Sequence, residues 1–129
     1  MSDQPRRILV AEDDRFLRRA SEMALKRRGY TVLTAADGEE ALRTAQRVLP
    51  DLVLLDLIMP KLNGFDVLQA LKKEAPTAHI PVIILSNLGQ ERDVQQAMEA
   101  GAAAYLIKTD LSLQALVERV EEALTASGV

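Results

Sequence analysis

The chain has 129 residues, 27% charged and 48% hydrophobic, with a formal net charge of −3 and no cysteine. That length suits one domain able to bury its own core, while the missing cysteine excludes thiol chemistry and zinc–thiolate sites and the mixed charges give no long-range field for nucleic acid. No apolar stretch approaches the ~20 residues of a membrane span, and the opening MSDQPRR has no signal-peptide core, so a cytoplasmic chain with no membrane partner and no direct nucleic-acid binding is expected.

In chain order, residues 8–11 read as a first strand, closed by Glu12, Asp13 and Asp14. Helical spacing follows in Leu17, Ala20, Ala24 and Leu25, and Gly29 stops it. The cations of residues 15–19 and 26–28 alternate with apolar residues and read as a solvated face. Residues 31–35 form a second strand, and Asp37-Gly38-Glu39-Glu40 is an N-cap with an acid three positions on, opening a helix through Ala41, Leu42, Ala45 and Val48. The third strand, 52–55, ends at Asp56; Met59-Pro60 fixes the turn after it, and Asn63-Gly64 reads as a turn. Val67, Leu68 and Leu71 mark a third helix, and residues 75–80 read as a loop in which His79, the only histidine, is solvated. A fourth strand at 81–85 precedes Ser86 and Asn87; a fourth helix through Val94, Ala97 and Met98 stops at Gly101. A fifth strand, 103–107, runs into Lys108, and the last helix shows Leu113, Leu116, Val117, Val120 and Leu124 at intervals of three and four.

Five strands alternating with five helices imply right-handed crossovers and a parallel sheet covered on both faces. The unbroken apolar character of strands one, three and four fits burial on both sides. With no internal repeat or second composition, the expectation is a single domain over 1–129, its core about 6–125, with the first seven and last four or five residues loose.

In such open sheets the site lies beyond the carboxyl ends of the strands. Three carboxylates, Glu12, Asp13 and Asp56, are expected to converge there. Like charges a few ångströms apart repel by roughly 4 kcal/mol at an effective dielectric near 20, and a hard divalent cation is the economical remedy. Lys108 supplies a compact positive charge for an oxyanion or for Asp56 itself, and Ser86 a hydroxyl donor. The set suits Asp56 as a nucleophile in phosphoryl transfer, with metal and Lys108 neutralising the transferring group. Each residue alone has a plainer explanation: a strand-end Asp caps or turns, acids before a helix favour its dipole, and most lysines and loop serines simply face water. Their common position at strand ends of one sheet changes the weighting.

At this point the chain resembles the receiver domain of bacterial response regulators, over about residues 6–125. Ile8-Leu9-Val10-Ala11-Glu12-Asp13-Asp14 looks like the family's acidic motif; residues 51–60 look like its phosphorylation segment, with Gly64 eight residues after Asp56; residues 82–86 look like the fourth strand with its switch hydroxyl; and Tyr105 stands three before Lys108 as the family's switch aromatic does. The resemblance implies a doubly wound, flavodoxin-like α/β fold with strand order 2-1-3-4-5 and five flanking helices. It implies that Asp56 accepts phosphate from a sensor histidine kinase or histidine phosphotransfer protein. Glu12, Asp13, Asp56 and the backbone carbonyl of Ile58 would hold Mg²⁺, with Mn²⁺ able to substitute. Ser86 and Lys108 would turn to the new phosphoryl oxygens and Tyr105 inward, changing the surface of the fourth helix, fifth strand and fifth helix that meets a downstream protein. Such a chain is a switch acting only on itself, not an enzyme with an outside substrate.

Four positions bear on how closely the site follows the family's common pattern. Thr109 follows Lys108 where proline is usual; a cis bond without proline costs ~2.5–4 kcal/mol, so a trans bond and a rearranged loop are expected. Asn87 stands where alanine or glycine is usual and is expected to narrow access to Asp56. Ile58 and Leu88, both apolar, are expected to exclude water and lengthen the phosphoryl lifetime. Two alternatives stand beside this reading. An aspartyl-phosphate hydrolase would place a second aspartate where Ile58 is, and a receiver-like module that is never phosphorylated would typically have lost an acid, the hydroxyl or the lysine.

Overall fold

In the computed structural model, which describes residues 4–87 and 89–126, five parallel strands lie in the order β2-β1-β3-β4-β5. They are β1 (Arg7–Ala11), β2 (Thr31–Ala35), β3 (Leu52–Asp56), β4 (Val82–Ser86) and β5 (Ala104–Ile107). The helices are α1 (Arg15–Arg27), α2 (Gly38–Val48), α3 (Gly64–Lys73), α4 (Ala75–Ala78), α5 (Glu91–Glu99) and α6 (Leu113–Ala126). The fold is thus the expected doubly wound one, with six α-helices among the described residues where the periodicity implied five.

All five residues of β3 and all five of β4 are buried, as central parallel strands require when helices cover both faces. Side chains alternate between two cores, as the period of two demands. Leu9, Val53, Leu55, Val82 and Ile84 pack with Ala41 and Ala45 of α2, Val67, Leu68 and Leu71 of α3 and Ala97 of α5. Ile8, Val10, Leu52, Leu54, Ile83 and Leu106 pack on the other face with Leu25 of α1 and Leu116, Val117 and Val120 of α6. Each such fully buried aliphatic side chain stabilises by roughly 1.5–3 kcal/mol before entropy is set against it.

Caps fix where each helix begins. Asp14 accepts from the Leu17 amide at 3.1 Å to open α1, and Asp37 from the Glu40 amide at 2.8 Å to open α2. Glu40 reaches back to the Ala36 amide at 2.7 Å, close to the expected capping box. Gly29 and Gly101, at φ +95° and +107°, follow α1 and α5 as helix stops in the left-handed region.

Several boundaries differ from expectation. Asn63-Gly64 is not a free turn: Asn63 accepts from the Asp66 amide at 2.9 Å and Gly64 is the first residue of α3. Residues 75–80 are not all loop, since Ala75–Ala78 makes one helical turn; Pro76 fits its first turn, and Lys72 Nζ donates to the carbonyls of Ala78 (3.0 Å) and Ile80 (2.7 Å). The amino-terminal segment is held earlier than expected: the Arg6 carbonyl accepts from the Thr31 amide, and the Arg7 amide donates to Asp51 Oδ2 at 2.7 Å. Similarly α6 continues to Ala126, so Thr125 and Ala126 are helical. The expectations for Leu88 and for residues 1–3 and 127–129 lie outside the described residues. No helix among them is long and apolar enough to cross a membrane.

Candidate functional site

Parallel register carries the strand ends across the sheet in single steps. Ala11 is level with Leu55, Asp56 with Leu85, and Ser86 with Ile107. Glu12 therefore emerges beside Asp56, Ser86 one residue beyond Asp56's partner, and Lys108 one residue beyond the partner of Ser86. The Glu12 amide extends the ladder by donating to the Ala35 carbonyl at 3.0 Å, which ties this acid to β2 as well.

The structure brings Glu12, Asp13, Asp56 and Lys108 together. One oxygen from each of Glu12, Asp13 and Asp56 lies within 4.8 Å of the others. Glu12 and Asp56 are 2% and 5% exposed, whereas Asp13 faces solvent. Lys108 Nζ donates to Asp56 Oδ2 at 3.0 Å and sits 2.7 Å from Glu12 Oε1. The second contact is as short as the first, so one ammonium is shared between two buried carboxylates. The other oxygens are served by backbone: the Asp14 amide donates to Glu12 Oε2 at 3.0 Å and the Ile58 amide to Asp56 Oδ1 at 3.2 Å.

Burial dominates the electrostatics. It pushes the Glu12 carboxyl up to about 7; Asp56 nearby adds to the rise, while Lys108 and the Asp14 amide oppose it. Burial alone would lower Lys108, but its contacts with Glu12 and Asp56 outweigh that and hold its pKa above the ordinary value. Two buried acids thus share one ammonium, an arrangement short of positive charge. Three hard carboxylate oxygens within 4.8 Å of one another fit a divalent cation that prefers oxygen ligands.

Ser86 is buried and hydrogen-bonded to Tyr105, a half-buried residue of β5 packed on the α2–α3–α5 core. Burial raises the Tyr105 phenol. Ile58 carries its apolar side chain 58% exposed, and Asn87 is exposed as well. The Lys108–Thr109 bond is trans, and Lys108–Asp110 forms a single 3₁₀ turn leading to α6. Beneath that turn a cavity of about 100 Å³ is lined by Leu17, Leu85, Lys108, Leu111, Leu113 and Leu116. His79 is exposed and borders Leu49, Pro50 and Asp51, with the loops that precede the strands.

Sequence reasoning missed Arg18. It was read with its neighbours as a solvated cation, yet its guanidinium turns back to donate to the carbonyls of Glu12 (2.8 Å) and Asp13 (3.3 Å). Nothing in the charge pattern distinguishes it from Arg15 or Arg19. Gly64 was read only as part of a turn and as a spacing marker. A Cβ there would stand 2.8 Å from Leu57 Cα and 2.9 Å from the Asp56 carbonyl carbon, so glycine is needed for α3 to start against the end of β3.

A level row of strand ends carrying two buried acids, a lysine and a hydroxyl defines a class. The chain belongs to the response regulator receiver domain family, which it matches over residues 8–121. Among curated relatives it is 37% identical over 135 residues to a probable transcriptional regulator ycf27 of Pyropia yezoensis, covering the whole of this chain and 54% of that protein. It is 41% identical over 102 residues to the DNA-binding dual master transcriptional regulator RpaA of Synechocystis, covering 79% of this chain and 42% of that one. The chain thus spans about half the length of these relatives. Among solved structures, a CheY-like receiver domain protein of Methanospirillum hungatei superposes with a TM-score of 0.89 at 26% identity, over 97% of this chain and 98% of that one. A response regulator of Chloroflexus aurantiacus gives 0.87 at 32%, over 95% and 99%.

Proposed function

We propose that this chain is a phosphorylation-operated signalling switch in a two-component or phosphorelay pathway, working in the cytoplasm and acting on no substrate but itself. The observation that carries the reading is the grouping of the Glu12, Asp13 and Asp56 oxygens within 4.8 Å of one another, with Lys108 on the two buried acids. Glu12, Asp13, Asp56 and the Ile58 carbonyl would hold Mg²⁺, or Mn²⁺ in its place. When bound, the ion supplies positive charge to the non-bridging oxygens of the transferring group.

The chain's own residues supply the rest. An Asp56 oxygen attacks the phosphorus of a phosphohistidine on a sensor kinase or phosphotransfer protein; the P–N bond breaks, its electrons return to the imidazole, and a 4-aspartylphosphate remains. Lys108 exchanges its carboxylate contact for a phosphoryl oxygen. The donor needs a docking surface around a charged centre, and Phe16 and Leu113, in the first turns of α1 and α6 with 90% and 40% exposure, offer apolar anchorage, as does the exposed Ile58.

Transfer adds about −1.5 to −2 charges beside Ser86. Ser86 already bonds Tyr105, so a phosphoryl oxygen competes with Tyr105 for the hydroxyl. Freed or redirected, Tyr105 alters the face formed by α5, β5 and α6, the fourth helix, fifth strand and fifth helix of the sequence reading, where Met98 is 44% exposed. A shift from 1% to 99% active requires about 5.5 kcal/mol of differential stabilisation. That face would then bind a downstream protein, without direct contact to nucleic acid or membrane.

The test is direct. Incubated with phosphoramidate, the protein should gain one phosphoryl group by intact mass with Mg²⁺ and not with a chelator. Asp56→Asn should gain none. Equal labelling of the variant, or labelling indifferent to Mg²⁺, defeats the proposal.

A further inference from the structure

Ile58 lies in the loop joining β3 to α3, and nothing in β3 decides where its carbonyl points. The loop makes an unusual reversal at Lys61, whose φ is +70°, and the Leu62 amide donates across it to the Pro60 carbonyl at 2.8 Å. A non-glycine residue held there is strained, and such strain persists only where the surroundings over-determine it. The surroundings in question belong to α2. The Gly38 amide donates to the same Pro60 carbonyl at 3.2 Å, and Lys61 Nζ lies 3.7 Å from Asp37 Oδ2, the N-cap of α2.

Gly38 is buried and its φ is not in the left-handed region, so its backbone does not call for glycine. Space does. A Cβ on Gly38 would overlap the Leu62 carbonyl oxygen and stand 2.8 Å from Leu62 Cβ. At the far end of the loop the Gly64 amide donates to the Leu57 carbonyl at 2.8 Å, and any Cβ on Gly64 would press on Asp56 and Leu57. The segment that presents Ile58 is therefore pinched between two glycines, one of them contributed by another element.

We propose that Gly38 is a positioning residue for the cation site: by letting the first turn of α2 lie on Leu62, it holds the strained reversal and hence the Ile58 carbonyl in place. This rests on the reading that Ile58, Glu12, Asp13 and Asp56 hold Mg²⁺. Ligand geometry imposed from outside the ligand set is a normal source of metal affinity, and by linkage the ion must in turn tighten the contact that helps to bind it.

Mg²⁺ titration of the full chain by amide NMR tests this in the wild-type protein. The Gly38 and Leu62 amides should shift with the same dissociation constant as those of Asp13 and Asp56. If the site amides respond and Gly38 and Leu62 do not, the clamp is refuted while the metal reading stands; no response at Asp13 or Asp56 overturns both. Gly38→Ala should bind Mg²⁺ about tenfold more weakly, and its phosphorylation by phosphoramidate should slow at limiting Mg²⁺ but recover at saturation. A folded Gly38→Ala protein with unchanged Mg²⁺ affinity, or with a loss that saturation does not repair, overturns the assignment. Should the variant not fold, the wild-type titration decides.

Discussion

Ile58 follows Asp56 by two residues, and its amide is bonded to the Asp56 carboxylate while its side chain is largely exposed. It has no polar atom beyond the backbone, so it cannot orient a water for attack on an aspartylphosphate. Ile58→Asn supplies such a group. One added hydrogen bond to the attacking water is worth about 1.4 kcal/mol, so dephosphorylation of the purified phosphoprotein should quicken about tenfold. Timing phosphoryl loss beside the wild type checks this, and an equal or slower rate counts against an apolar Ile58 that prolongs the signal. At this scale the sequence was most informative where a charge interrupted an apolar run. Asp56 stood out for that reason, and so did Lys108. Arg18 and Gly38 did not: their importance lies in contacts with carbonyls of other segments, which leave no pattern of their own.

Among the elements, α1 shows a local choice at odds with packing. Ser21 lies on its inner face, buried, and its hydroxyl has no hydrogen-bond partner. An unsatisfied buried hydroxyl costs about 1–3 kcal/mol, and alanine has the better helix propensity. Ser21→Ala should therefore raise stability by about 1 kcal/mol, read as a higher urea midpoint at unchanged slope; a lower midpoint would mean that the hydroxyl is satisfied in solution. Elements legible in the sequence were those with a period long enough to register. The strands announced themselves by apolar runs, and α6 by five apolar positions. The four-residue α4 has no period to detect, and Asn63-Gly64 reads alike as a hairpin-type turn or as a cap followed by a tightly packed first residue. Only the neighbouring strand end decides between them.

For the whole molecule, the raised carboxyl of Glu12 couples the site to global stability. Its ordinary value is 4.5 and its folded value about 7, so the metal-free native state holds a proton that the unfolded chain has released. Stability then falls as pH rises between those values. Lys108, raised above 10.5, contributes stability that is present throughout this range and is lost only above it. Asp37, held below 3.8 chiefly by the Glu40 amide, contributes stability above that value and loses it on further acidification. In chelator, the urea midpoint of the wild type should decline from pH about 5 to about 7 more steeply than that of Glu12→Gln, which carries the neutral form throughout. Parallel profiles would show that Glu12 is ionised in the native protein across the whole range.

The bridging ammonium has one more outcome, for the life of the protein before any signal arrives. Lys108 contacts both buried acids from within the chain, so a freshly synthesised copy carries its own counterion and completes folding without waiting for a captured one. If the site takes up a divalent ion as proposed, folding and ion capture draw on separate sources of positive charge, and the protein should stay folded where such ions are scarce.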